Sequence, residues 1–337
     1  MDVPPFSITY VIENGEKNHI FIFRALIIPG WNYSEPPGLF NRINSPEACI
    51  AGFFQSDTML FMLQNKTNLF EVVLHCIEIT DPDRKALETQ KLYQRWCEGA
   101  FNTESLDEPL RITDPGRPEK PQLVSPMKVP KRGFRSKQGL VKLAHAITHI
   151  EFNAINLALD AVYRFRQMPD DFVADWLRVA AEESSHFLML AHYLDDNGSF
   201  YGEYAAHNGL WEMALKTDHD VMVRMALVPR VLEARGLDVT PGMIAKLKAV
   251  GEHSLVDILE IIHKEEIGHV LTGSRWFNYT CRQRGLTPGT IFTELLQQYM
   301  KGNIQGPFDQ DSRIQAGFTE DEMQQLVEMS RSRELIA

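Results

Sequence analysis

Two short stretches of this 337-residue chain carry residue types suited to binding a metal ion: Glu183-Ser-Ser-His186 and Glu266-Ile-Gly-His269. On a helix, positions i and i+3 project from one face. A carboxylate can then bridge two ions while the imidazole three residues on binds one of them. Both glutamates interrupt apolar stripes. Helical steps back from Glu266 reach Ile262, Leu259 and Leu255, and steps forward reach His269, Val270 and Gly273. Around Glu183 the stripe holds Trp176, Val179, Ala180, His186, Phe187 and Leu190. An ionised carboxylate buried without a partner is costly, so each glutamate needs a cation, a hydrogen-bond network or a proton.

Two more glutamates occupy comparable positions. Glu151 lies in a stripe with Ala144, Ile147, Ala154, Ile155 and Ala158, and Glu233 in one with Met222, Ala226 and Pro229. Glu151 precedes Glu183 by 32 residues and Glu233 precedes Glu266 by 33, the spacing of two helical hairpins related by a pseudo-twofold. One Glu from each of two helices, with Glu-x-x-His from each of two others, is the ligand pattern of di-metal carboxylate bundles. The expected ligands are therefore Glu151, Glu183, His186, Glu233, Glu266 and His269. Glu182 and Glu265, at i−4 from the same histidines, are alternative ligands, although the stripes favour the later residue of each pair. Glu260-Ile-Ile-His263 repeats the motif, but 33 residues before Glu260 stands Leu227, so His263 is read as an outer, orienting group or an ordinary half-buried histidine. His145 and His149 lie off the Glu151 face and are read as structural or outer groups. Trp176, Phe187, Trp276 and Phe277 are read as core in preference to pocket lining, and His75 and Cys76 as core or surface residues.

The elements that position these residues are helical. Ser136 to about Gln167 and Asp170 to Asn197-Gly198 form the first two long helices, the second ending on a left-handed stop signal. A third is expected from about Gly209 to Arg235, kinked at Pro229. A fourth opens at Thr240-Pro241, an N-cap followed by proline, and runs to about Arg284. A helix from Pro288 and a short last one from Thr319 follow. Upstream, residues 67–100 predict two helices with Asp81 or Asp83 as cap and Gly99 as stop. Residues 101–138 contain six prolines between Pro109 and Pro130 and predict an extended strap, anchored by Leu123, Val124, Met127 and Val129. Asn14-Gly15 between two β-rich runs predicts a small hairpin. The expected organisation is an N-terminal extension over 1–65, a helical pair and strap over 66–138, and a four-helix bundle with a helical tail over 139–337. The fold class is all-α.

Lys plus Arg number 34 against 45 Asp plus Glu, a net charge of −11 that opposes binding to nucleic acid or an anionic bilayer. The basic stretch Val129–Lys137 reads as a solvated linker. Four scattered cysteines make neither a disulfide framework nor a zinc-ribbon spacing, and no run approaches the length of a membrane span. A cytoplasmic protein is expected, with no membrane association.

Several long motifs, "PGRPEKPQLVSP", "HAITHIEFNAINLALD", "EESSHF", "PRVLEARGLDVTP", "IIHKEEIGHVLTGSRWF" and "DSRIQAGF", occur in an order that resembles a bacterial ferritin-like family known as domain of unknown function 455. The resemblance spans roughly residues 67–325. It implies a ferritin-like bundle with a di-iron type centre, and by motif it carries over the same six ligands. The resulting expectation is an oxygen-activating oxidoreductase with two Fe ions, or Mn or mixed Mn/Fe, taking dioxygen and a small-molecule substrate, and a homodimer is one possible assembly. Iron oxidation or storage, and a metal-free interaction bundle, are the competing readings. A more distant likeness to tRNA hydroxylases is opposed by the charge of −11.

Overall fold

The computed structural model describes residues 67–104, 107–300 and 304–334, all within one unit, Met62–Ala337. The hairpin expected around Asn14-Gly15 lies outside the described residues. At the start of the described chain, Asn68 caps α1 (Leu69–Glu78) by accepting from the backbone of Phe70 and Glu71. Asp81 caps α2 (Pro82–Cys97), where proline at the first turn loses no hydrogen bond. Strands β1 (Thr67–Asn68) and β2 (Phe101–Asn102) pair in parallel at the root of this helical pair.

The proline-rich segment follows as a strap that, between β2 and α3 and among the described residues, forms a single 3-10 turn at Pro126–Lys128. It is tied down by polar groups. Lys85, fully buried, donates to the carbonyls of Ile77 and Gly116, each at 2.7 Å, and to Asn156 Oδ1. Trp211 Nε1 donates to Thr113 O, and Leu123 forms a parallel bridge with Ala206. Met127, expected as an apolar anchor, is instead 96 % exposed, because the 3-10 turn directs it outward.

The first two long helices match their sequence signals. α3 (Lys137–Arg164) is capped by Ser136, and α4 (Asp170–Asp196) stops at Asn197 with Gly198 at φ 74°. The third segment differs from expectation. It consists of α5 (Gly209–Lys216), α6 (Val221–Leu227), a π-helical turn (Val228–Glu233) and α7 (Ala234–Val250). The break after α5 is held by Arg224, whose buried guanidinium takes Ala214 O, Thr217 Oγ1 and Asp160 Oδ2. Pro229 lacks an N–H for the Met225 carbonyl, and the wider π turn absorbs that defect. Thr240-Pro241, expected to open a helix, lies inside α7. Buried Leu237, Thr240 and Leu247 keep the segment helical, and the true break is Gly251 at φ 78°.

α8 (His253–Gln283) completes the set, followed by α9 (Pro288–Leu295), α10 (Gln310–Gln315) and α11 (Glu320–Glu334). Buried ion pairs fasten this tail: Arg313 to Asp238 of α7, and Arg230 of the π turn to Glu322 of α11, each at 2.8 Å. The apolar core falls into two clusters. In α3, α4 and α8 the smaller ends at Ile147, Leu190 and Ile262, and the larger takes over at Phe152, Phe187 and Val270. A polar layer lies between them. Among the described residues, no helix is long and apolar enough to cross a membrane.

Candidate metal centre

That polar layer contains the glutamates and histidines singled out by spacing. α3 contributes Glu151, α4 contributes Glu183 and His186, the π turn contributes Glu233, and α8 contributes Glu266 and His269. Ligand-type atoms of Glu151, Glu183, His186 and Glu266 all lie within 4.8 Å of one another, a group that could hold a metal ion. His269 joins the group through Glu183. Glu183 Oε1 stands 2.9 Å from His269 Nδ1, and Glu183 Oε2 stands 3.3 Å from His186 Nδ1. Glu151 Oε2 is 3.3 Å from His186 Nδ1, and Glu266 Oε1 is 3.5 Å from His269 Nδ1. The two imidazole rings are tilted to each other with centroids 5.6 Å apart.

The outward nitrogens are held by the neighbouring glutamates in a crossed arrangement. His186 Nε2 donates to Glu265 Oε2 at 2.7 Å, and His269 Nε2 donates to Glu182 Oε2 at 2.8 Å. Each motif therefore orients the histidine of the other. With Nε2 donating outward, a neutral imidazole presents the Nδ1 lone pair to the cluster. Arg178 steadies Glu182 at 2.8 Å and also reaches Thr272 Oγ1. Glu183 and Glu266 thus lie inside the cluster, with Glu182 and Glu265 at its rim.

The donor atoms suit a hard cation. Glu151 Oε2, Glu183 Oε1, Glu233 Oε2, Glu266 Oε2 and His269 Nδ1 are buried and make no hydrogen bond. Glu183 Oε1 and His269 Nδ1 are close without the alignment of a hydrogen bond, as expected of groups that converge on a third atom. Carboxylate oxygens with two imidazole nitrogens make a set for first-row divalent metals. The electrostatics of these side chains agree. Burial and then the Glu183 charge push the Glu151 carboxyl well above the usual range, and burial, Glu266 and Glu183 do the same to Glu233. Glu266 is raised by burial and Glu183. Burial would raise Glu183 too, but the histidines facing it hold it far below its ordinary value. Both histidines are raised, their carboxylate neighbours overcoming burial. The carboxyls thus crowd one another in a buried layer whose charge a cation would offset.

The remaining histidines serve elsewhere. His145 Nε2 accepts from the backbone of Gly202 at 2.9 Å, and His149 bonds Tyr201 Oη and the His207 carbonyl. His263 is half-buried with Nδ1 unpaired and lies outside the cluster. Trp176, Phe187, Trp276 and Phe277 are core residues, at most 2 % exposed. His75 is exposed and Cys76 is buried in the core. The π turn that carries Glu233 had a single signal in the sequence, Pro229. Its ring packs against Gly273, where a Cβ would fall 2.3 Å from Pro229 Cγ.

Residues 78–324 match the family described as "Protein of unknown function (DUF455)". A relative from Haemophilus influenzae, described as an uncharacterized protein, is 49 % identical over 222 residues, covering 64 % of this chain and 77 % of its own length. No solved structure matches. The chain belongs to the DUF455 family.

Proposed function

We propose that the chain is a ferritin-like four-helix-bundle protein with a di-metal centre, and that it acts as an oxygen-activating oxidoreductase. In this reading Glu151, Glu183, His186, Glu233, Glu266 and His269 hold two Fe ions, or Mn or a mixed Mn/Fe pair. The observation that carries it is the placement of Glu183, whose two oxygens face the Nδ1 atoms of two different histidines at 2.9 and 3.3 Å. A carboxylate so placed is suited to bridge two ions. Four carboxylates also offer the charge that two divalent ions would neutralise in a buried site.

Bound ferrous ions would supply the electrons and open coordination positions needed to reduce dioxygen. The protein's own contributions are positional. Glu182 and Glu265 would keep the imidazoles in the ligating tautomer, the apolar clusters pack on either side of the centre, and the carboxylates would hold the ions and offset their charge.

Elemental analysis of the purified chain, after expression in iron- and manganese-supplemented medium, tests the centre. About two Fe or Mn per chain are expected, lost in a folded Glu183→Ala/Glu266→Ala variant. Oxygen uptake on addition of substrate would support an oxidoreductase. Large assemblies loading many irons per chain would replace it with storage. No metal in a folded parent after anaerobic ferrous reconstitution would refute the centre itself.

A further inference from the structure

Two adjoining cavities lie beside the acidic cluster. The inner one, about 170 Å³, has Glu151, Glu233 and Glu266 in its wall and is otherwise almost wholly aliphatic. The outer one, about 350 Å³, lies among the strap, α3, the π turn and the C-terminal segment. Ile150, Leu210, Leu232 and Arg235 line both cavities and so form the neck between them. Ile150 sits in the middle of α3 yet is 43 % exposed, and the surface it exposes faces this space. An aliphatic side chain shared by two joined, largely apolar cavities is a place for an apolar ligand.

The outer cavity has the opposite character to the protein around it. Its wall includes Arg132, Arg230, Arg235 and Arg313 and, among the described residues, no carboxylate, in a chain with a net charge of −11. Asp238 and Glu322 answer part of this charge from behind the wall. Asp238 serves Arg313 and Arg235, and Glu322 pairs with one nitrogen of Arg230 at 2.8 Å. Arg230 itself is fully buried, its guanidinium enclosed by the rings of Phe277, Phe292 and Phe318 at 4.2–4.9 Å, so it adds positive charge from behind the wall and turns no donor toward the cavity. Arg132 and Arg235, whose side chains are exposed at the cavity, are the cations an anionic ligand would meet there.

We propose that the substrate of the metal centre is an amphipathic anion. Its carboxylate or phosphate head rests in the outer cavity against Arg132 and Arg235. Its hydrocarbon arm passes Ile150 and Leu232, fills the inner cavity and ends beside Glu151, Glu233 and Glu266. The substrate role rests on the reading of the cluster as a metal centre, whereas the binding of the amphiphile is measurable without metal.

Isothermal titration calorimetry on the full chain, metal-free and metal-loaded, tests this with hexanoate, octanoate, octyl phosphate and octanol. Octanoate or octyl phosphate should bind at one site per chain, and the tighter of the two identifies the head. Octanol should bind at least about tenfold more weakly, and each added methylene should tighten binding by about three- to fourfold. Arg132→Gln, an exposed position, should weaken the headed ligands by about fivefold or more without moving the melting temperature. Ile150→Trp should narrow the neck and abolish the gain from hexanoate to octanoate, with metal content unchanged. Octanol binding as tightly as octanoate, or no headed ligand binding to a chain that loads metal, would overturn the proposal and leave the metal centre standing. Octanoate binding to a chain that loads no metal would support the amphiphile site and overturn the metal reading.

Discussion

Removing the outer glutamates should weaken metal binding unequally. Neither residue faces the cluster: Glu182 and Glu265 act through the Nε2 atoms of His269 and His186, at 2.8 and 2.7 Å. Loss of such a partner frees the imidazole to rotate and to take the wrong tautomer, which costs about 10–100-fold in metal affinity, or about 1.4–2.7 kcal/mol. The two positions differ in environment. The Glu182 side chain is 29 % exposed and clamped by Arg178, whereas that of Glu265 is 40 % exposed and, among the described residues, pairs with His186 alone. Solvent screens the second contact more, and a freer side chain orients less. Glu182→Ala is therefore expected near the hundredfold end of that range, about 2.7 kcal/mol, and Glu265→Ala near the tenfold end, about 1.4 kcal/mol. Glutamine at either position keeps an acceptor but loses the charge, so both Gln variants should fall between parent and Ala. Anaerobic competition for manganous or ferrous ion against a chelator of known affinity measures the loss, with the metal-free melting temperature as a folding control. Two Ala variants within about twofold of the parent, or a larger loss at Glu265 than at Glu182, would refute the assigned orienting role.

Gly273→Ala should destabilise the fold by about 1–3 kcal/mol and lower metal content together, because its Cβ would meet the Pro229 ring at 2.3 Å and displace the turn carrying Glu233. An unchanged denaturation midpoint would contradict this. Lys85→Met should cost on the order of 3 kcal/mol or more in urea unfolding, since it strands the buried Ile77 carbonyl, the half-buried Gly116 carbonyl and Asn156 Oδ1, and it should loosen the strap toward limited proteolysis. His145 should contribute an acid-labile part of the stability. Burial lowers its pKa from 6.5 to about 4, in keeping with Nε2 acting as an acceptor for Gly202 N–H. Between those values the unfolded chain binds more protons than the folded one, so stability falls as pH drops from about 6.5 toward about 4, by on the order of 3 kcal/mol for this group. His145→Gln should flatten that slope in denaturation measured across this range, and an unchanged slope would count against it.

Much of the site was legible because it obeys local rules. Ser136 and Asp81 announce helix starts, Asn197-Gly198 announces a stop, and Glu-x-x-His at helical spacing inside an apolar stripe states which side chains share a face. The spacings of 32 and 33 residues between glutamates reflect the length of a helical hairpin, itself a local property. These determine that the chain is helical and that its interior carries carboxylates and imidazoles in a repeated order. They do not determine what those groups touch. Thr240-Pro241 has the local form of a helix start, yet packing of Leu237 and Leu247 carries the helix through it to Gly251. Pro229 indicates a kink, but the π turn that carries Glu233, with the Pro229 ring seated against Gly273 of another helix, depends on how the two helices meet. Glu182 and Glu183 are indistinguishable by composition. The crossing of α4 and α8 assigns one to the interior and the other to the opposite histidine. The arginine-lined cavity joins residues from Arg132 to Arg313, distant in the chain, which periodicity cannot relate. Burial and periodicity act along one helix, whereas ligation geometry and a cavity are properties of several helices at once, set by how their faces meet.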